Sequence, residues 1–558
     1  MNPTQDPVTV ALTGALPFVV LLAAALAFPV SLVLLRLYRR AVLRAMRESA
    51  APAGTAARQP APPATPGRRA PLSLTVLDLA REAEGGEAAV LARRIGRDLR
   101  RSAMIYLAGG GAFALVLAAA FLTAATDGFY PLRFLVLFWV YAWPALLAYN
   151  LVAAIGHRMQ WLAAGAYLLV LLLLLAAAVA RSDTASMGEL VTLWLITNLP
   201  PTLLLLAYLA RRIRAVGPLV LTFMLLALTG SQLILSLAGS SDSALRHAAG
   251  VGIALGLSGE ETFWALAAAG FVLFAVAGWW VLGRIGRRYQ AKKMSDQSLT
   301  LDAVFLMFGV VQSIGLVFEG WYWIFTGLAA FTAYKLTVIA GFRFAAGRGG
   351  APERGLLLLR VFALGSRSER LFDVLGKLWL RQGSIALIAG PDLATTTVEP
   401  HEFLGFLSGR LARRFVRDEA DLQERIAAMD RGPDPDGRHR VNEFFCHDDT
   451  WKAAVAGLVA GSNAILMDLR SFSTENQGCV YELGLLLGAA PLARSVLLVD
   501  ASTDEAFLRE TLQALWQRAP SDAPDAANSE PRLRLARAGR EAPRDAARIL
   551  ALLLAADA

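Results

Sequence analysis

The sequence is poor in charge and in cysteine, and each shortage closes off a class of protein. Only 18% of its 558 residues are Asp, Glu, Lys or Arg and 56% are apolar, against about 25% charged and roughly 45–50% apolar in soluble domains. One water-surrounded core is therefore excluded. Two cysteines, Cys446 and Cys479, exclude a disulfide framework and a four-cysteine metal site. The first apolar run has no basic segment before it and its basic cluster after it, so it reads as a retained anchor, not a cleaved signal.

The chain holds nine apolar runs near the roughly 20 residues that a helix needs to cross a bilayer: about 10–35, 103–126, 131–155, 161–180, 190–210, 217–238, 262–283, 302–318 and 321–342. The last two, joined at Glu319-Gly320, read as a tight hairpin, and Ala248–Leu257 is too short to span, reading as an external loop or a segment dipping into the bundle. Basic clusters follow the first run (Arg36 to Arg47), the fifth (Arg211 to Arg214), the seventh (Arg284 to Lys293) and the ninth (Arg343 to Arg354), and another precedes the second. All five fall on one face for an odd number of spans, giving an N-terminus outside and a C-terminus in the cytoplasm of a multi-pass inner (plasma) membrane protein. The net charge of +9 then orients the chain toward the lipid bilayer, and nucleic acid is not an expected partner.

Ionisable groups inside a bilayer are costly. Lys335 is the clear case, read as snorkelling or pairing across helices, and Asn198-Leu199-Pro200-Pro201 reads as a kink in the fifth run. Neither makes a strong transport signal. The domain boundaries expected are a first anchor with its basic flank at 1–47, an Ala/Pro linker and amphipathic cytoplasmic helix at 48–101, a helical transmembrane bundle at 102–345, and a cytoplasmic α/β domain at 355–558.

In that last part, short apolar strands alternate with helices. Strands are predicted at 356–364, 385–389, 464–469, 495–500 and 532–538, and helices at 368–380, 400–416, 450–460, 479–487, 504–517 and 543–555. Such alternation implies a parallel sheet covered on both faces, with ligands beyond the carboxyl ends of its strands. Gly365-Ser366-Arg367-Ser368-Glu369 follows the first strand, where a helix N-terminus and Arg367 suit a phosphate; Ser366-x-x-Glu369 is equally a capping box.

After the third strand come Asp468-Leu469-Arg470-Ser471-Phe472-Ser473 and then Gly478-Cys479-Val480-Tyr481-Glu482-Leu483. A strand, a serine-bearing loop and Cys-x-x-Glu-Leu opening a helix resemble the end of the third strand of TIR domains. The helix led by Trp451 and ending at Gly461-Ser462-Asn463, and Val361-Phe362 followed by a Ser-rich turn and Phe372, are similar to the family's second and first helical units. The resemblance covers about 357–540 and implies a TIR/flavodoxin-like fold. It further implies cleavage of NAD, as substrate and not cofactor, at the bond between nicotinamide and ribose. Glu482 takes the catalytic position, with Arg367, Ser368, Ser471, Phe472 and Ser473 around the nucleotide. A carboxylate suits this chemistry because glycosidic cleavage passes through a cation-like ribose. Self-association through the membrane part or the domain is the implied route to activation, in stress or defence signalling.

The departure is an insertion at about 391–449, longer than the family's connection at this point, so interface roles of that connection do not carry over. Within it Asp434-Pro435-Asp436-Gly437 lacks a calcium-loop ligand where Gly432 stands and reads as a turn. Cys446 and His447 are adjacent, with His439 nearby, and no metal site is expected. The alternative function is a non-catalytic module that binds a nucleotide or a protein on a membrane anchor.

Overall fold

The computed structural model describes residues 7–48, 69–79, 86–153, 157–181, 186–208, 216–239, 241–314, 316, 319, 321–345, 354–360, 374–390, 400–539 and 542–555. It divides into two units. One holds Met1–Leu37, Leu99–Gly347 and Val398–Leu404; the other holds Tyr38–Asp98, Arg348–Thr397 and Gly405–Ala558.

The first unit is a bundle of apolar helices: most of α1 (Pro7–Arg47) and α2 (Gly86–Ala125), then α3 (Pro131–Tyr141), α4 (Trp143–Val152), α5 (His157–Val179), α6 (Met187–Tyr208), α7 (Gly217–Ala238), α8 (Asp242–Ala254), α9 (Gly259–Gln290), α10 (Asp296–Ile314) and α11 (Thr326–Ala345). Among the described residues six helical stretches are long and apolar enough to cross a membrane: Arg93–Ala125, Pro131–Val152, Arg158–Val179, Gly217–Ala238, Gly259–Gln290 and Thr326–Ala345. The other three predicted runs coincide with α1, α6 and α10. The segment at 248–257, expected as an external loop or a dip into the bundle, is mostly helical and forms the second half of α8, with Ser241 accepting from the Ala244 amide at 3.1 Å to cap its start.

Small residues close the α10–α11 hairpin. A side chain at Gly309 or Gly327 would collide with the other's backbone, and Ser313 Oγ accepts the Gly327 N–H at 2.7 Å. Lys335 of α11 pairs with Asp302 of α10. Helix α6 continues through Pro200 and Pro201, and Thr202 beyond them accepts from the Trp143 indole at 2.8 Å.

The second unit is built on a seven-stranded, all-parallel sheet: β1 (Ser73–Asp78), β2 (Arg354–Arg360), β3 (Gly383–Ile388), β4 (Val441–Phe444), β5 (Ala464–Asp468), β6 (Ser495–Val499) and β7 (Arg532–Arg537), in the order β1-β7-β6-β5-β2-β3-β4. Strands β2, β3, β5 and β6 are almost wholly buried apolar runs, as strands covered on both faces must be. Its helices are residues 374–379 (α12), α13 (Pro400–Leu407, shared with the first unit), α14 (Glu419–Ala427), α15 (Trp451–Gly461), α16 (Gln477–Ala489), α17 (Glu505–Gln517) and α18 (Ala542–Leu554). The five predicted strands are all present, and they run second, first, third, fourth, fifth across the sheet.

Two strands lie outside that expectation. Residues 73–78, read as part of an amphipathic helix, form β1 and pair in parallel with β7 from Ser73↔Arg532 to Asp78↔Arg537. The alternation Leu74, Val76 with Thr75 between has the period of a strand, and β7 offers it an open edge. Helix begins only at Gly86. The α/β unit therefore starts well before residue 355, with Leu72 in its apolar core. The second addition, β4, comes from the insertion and widens the other edge beside β3. The predicted helix at 400–416 stops at Leu407, where Gly409 turns with φ +69°.

A chain of residues 355–558 alone lacks β1 and bares the β7 edge. It is expected to aggregate on size-exclusion chromatography and to become monodisperse when a peptide of residues 69–79 is added. A cooperative, monodisperse 355–558 would contradict this boundary.

Candidate active site at the carboxyl ends of β2 and β5

Strands β2 and β5 are neighbours, yet the chain leaves β2 for β3 on one side and β5 for β6 on the other. Connections that diverge in this way leave a crevice at the carboxyl ends, where open α/β sheets bind ligands. Arg360 ends β2 opposite Asp468, which ends β5. Both are buried.

Glu482 is carried to this end of the sheet by α16. The buried positions of that helix are Cys479, Glu482, Leu483, Leu486 and Leu487, the spacing of one helical face. A carboxyl therefore occupies a place in an apolar stripe. Glu482 is only 4% exposed, and among the described residues its Oε2 has no hydrogen-bond partner. Burial pushes its pKa up to about 8 from the usual 4.5, and the positive charge of Arg360 only partly offsets this. At neutral pH the resting group is mainly the uncharged acid. Cys479, one turn earlier, directs its thiol to the Arg360 carbonyl at 3.9 Å, and burial, reinforced by the negative charges of Glu482 and Asp468, pushes it up to about 12. It is not a reactive thiolate.

The other residues singled out by sequence divide. Ser471 takes a left-handed backbone, φ +59°, rare for a non-glycine residue. Its hydroxyl lies 3.0 Å from that of Ser502, whose own N–H and hydroxyl bond Asp500. Ser471 thus faces the β6 side. Ser473 donates through its backbone N–H to Asn476 Oδ1 at 2.9 Å, tying the loop to the start of α16. Phe472 does not line the crevice: it is fully buried and stacks on Phe507 of α17 at 5.5 Å. Arg367 and Ser368 lie outside the described residues. No protein-family model, no curated protein and no solved structure matches the chain.

Three residues at the site, Arg360, Asp468 and Arg470, were given no role from sequence. Arg360 was hidden inside the run Leu-Leu-Leu-Leu-Arg-Val-Phe, where a strand's length, not its end, was legible. Asp468 and Arg470 form a buried ion pair, Nη2 to Oδ2 at 2.7 Å and Nε to Oδ1 at 2.8 Å. The i, i+2 spacing in Asp-Leu-Arg was its only signal.

The polar residues of the insertion are engaged in structure. Asp434 accepts both Nε and Nη2 of buried Arg440, at 2.9 and 2.7 Å, and its amide and carbonyl close the turn through Arg438 and Gly437. His439 Nδ1 lies 3.2 Å from the Leu380 carbonyl and His447 Nδ1 2.7 Å from the Ala45 carbonyl at the end of α1. Among the described residues no group of three or more His, Cys, Asp and Glu is placed to hold a metal.

The raised pKa of Glu482 fixes the sign of a pH effect. The folded state holds the proton more tightly than the unfolded chain, so the stability contributed by this group is complete below about 4.5, declines as pH rises and is gone above about 8. Glu482→Gln, which mimics the neutral acid, is expected to leave the melting temperature near pH 5 almost unchanged and to raise it relative to the parent at pH 8 and above. Parallel curves for the two proteins in a thermal melt series would contradict the burial of an unpaired carboxyl.

Proposed function

We propose that the chain is a membrane-anchored, TIR-like effector that cleaves NAD at the nicotinamide–ribose bond. The observation that carries this reading is the placement of Glu482: the Cys-x-x-Glu-Leu glutamate lies buried beside the carboxyl ends of β2 and β5. The order β3-β2-β5-β6-β7 of the inner strands is the 2-1-3-4-5 order of flavodoxin-like folds, which supports the same assignment.

In this reaction the N-glycosidic bond breaks with its electron pair going to nicotinamide, and water adds to the ribose carbon, losing a proton. Glu482 gives up its proton to solvent as the nucleotide binds, and the resulting carboxylate accepts a hydrogen bond from a ribose hydroxyl and stabilises the cation-like ribose. Arg360 supplies positive charge at the same end of the sheet for a diphosphate. The six apolar stretches fit a multi-pass membrane protein, and the arginine clusters favour an N-terminus outside and the α/β unit on the cytoplasmic face of the plasma membrane. Activation by self-association belongs to the same proposal. The uncharged state of Glu482 favours one further reading, a nucleotide-binding module that performs no chemistry.

The full chain in nanodiscs, concentrated to promote assembly, should release nicotinamide from NAD, and Glu482→Gln should lower the rate by about a hundredfold or more. Activity unchanged in that variant removes the assigned role. A melting temperature shifted by NAD, with no nicotinamide released, selects the binding module.

A further inference from the structure

Residues 69–79 do more than complete the sheet. Strand β1 is held by β7 on one side, while Val76 stands 40% exposed at the margin. Most of its further attachment is to α17. The Gln513 side chain bonds both backbone groups of Leu72, donating Nε2 to its carbonyl at 2.6 Å and accepting its N–H at 3.3 Å. The Trp516 indole donates to the Ala70 carbonyl at 2.9 Å, and the Arg69 guanidinium lies over the Trp516 ring, 5.2 Å from its centroid, while bonding the Trp516 and Pro520 carbonyls.

The opposite end of α17 grips the loop that precedes Glu482. Phe507 stacks on Phe472, the Asp504 N–H donates to the Phe472 carbonyl at 3.0 Å, and Thr503 donates its hydroxyl to the Leu469 carbonyl at 3.0 Å. From that loop Ser473 and Asn476 lead directly into α16. Helix α17 thus has the 69–79 segment on one end and the Glu482 loop on the other, joined by hydrogen bonds and ring contacts throughout. Strand β1 is in turn strung along the chain between α1 and α2, most of whose residues belong to the helical unit.

We propose that residues 69–79 are a regulatory strap: docked, they hold α17 and the Phe472 loop in the arrangement that buries Glu482, and their release frees that loop and opens the site. An edge strand paired on one side is the part of a sheet that opens at least cost; its release withdraws Leu72 from the apolar core but leaves the central strands β2 and β5 paired. The consequence for activity rests on the proposed NAD reaction; the coupling of strap to loop does not.

The test uses the full chain in nanodiscs and amide hydrogen exchange. Arg69→Ala/Gln513→Ala removes the strap's side-chain hold and is expected to speed exchange about tenfold both in 73–79 and in 471–480, with β2 and β5 unchanged. It should also speed maleimide labelling of buried Cys479. A second variant guards against simple misfolding. Thr75→Cys/Arg534→Cys, at paired positions of β1 and β7, should lock the strap when oxidised and slow exchange in 471–480 below the parent, with reversal by reductant. Faster exchange confined to 73–79 in the first variant, or no effect of the lock on 471–480, overturns the proposal. Coupled exchange in a protein that releases no nicotinamide upholds the strap and rejects the NAD reaction.

Discussion

A carboxyl group taken almost wholly out of water, one oxygen of it without a partner among the described residues, is the constraint on which the α/β unit turns. Desolvation of a charged carboxylate costs several kcal/mol, and the fold avoids that cost by holding Glu482 as the neutral acid. The arrangement follows from helical spacing: Cys479, Glu482, Leu483, Leu486 and Leu487 share the face that α16 turns inward. No solvent-facing glutamate at a helix start would behave so, and the ordinary attraction of such a residue to the helix dipole does not account for its burial. The neighbouring charges explain why the acid is not further raised. Arg360 acts on Glu482 directly, whereas Arg470 is already committed to Asp468.

The sheet that presents this group is assembled from two stretches of chain separated by the apolar helices. A parallel sheet must cover both faces, and β1 and β4 extend it at its two ends. Strand β1 shields β7, whose alternating Arg532, Leu533, Arg534 and Leu535 have the character of a near-edge strand. The end of α1 is tied to the same unit: the Ala45 carbonyl, which also accepts the Glu48 N–H, accepts from His447, and the Met46 carbonyl accepts the Asp448 amide. The chain passes between the α/β unit and the apolar unit five times, at 37/38, 98/99, 347/348, 397/398 and 404/405, which a simple tail would not do.

Much of this was legible in sequence because buried parallel strands are short uninterrupted apolar runs. Ala464–Asp468 and Ser495–Val499 announce themselves in that way, and the helices behind them carry apolar residues at three- and four-residue intervals. What escaped was decided by contacts distant in sequence. Strand β1 has half-exposed alternation, and its neighbourhood of arginines resembles an amphipathic helix until β7, more than 450 residues later, offers an edge. Strand β4 is four residues long and contains Asn442 and Glu443, so no local pattern marks it. The site shows the same division: Glu482 stood out by its motif, but its burial depended on the packing of α16, and the placement of Phe472 in the core depended on Phe507, 35 residues further on.

The most direct measurement is the protonation state of Glu482 in the intact, resting protein. Infrared difference spectroscopy of the full chain against Glu482→Gln, titrated from pH 5 to pH 9, reports the carboxylic-acid carbonyl of that one group. The account predicts an acid band present at pH 7 and lost with a midpoint near 8. A carboxylate already formed at pH 6 would contradict it, because Glu482 is only 4% exposed and its Oε2 has no partner among the described residues to stabilise a charge.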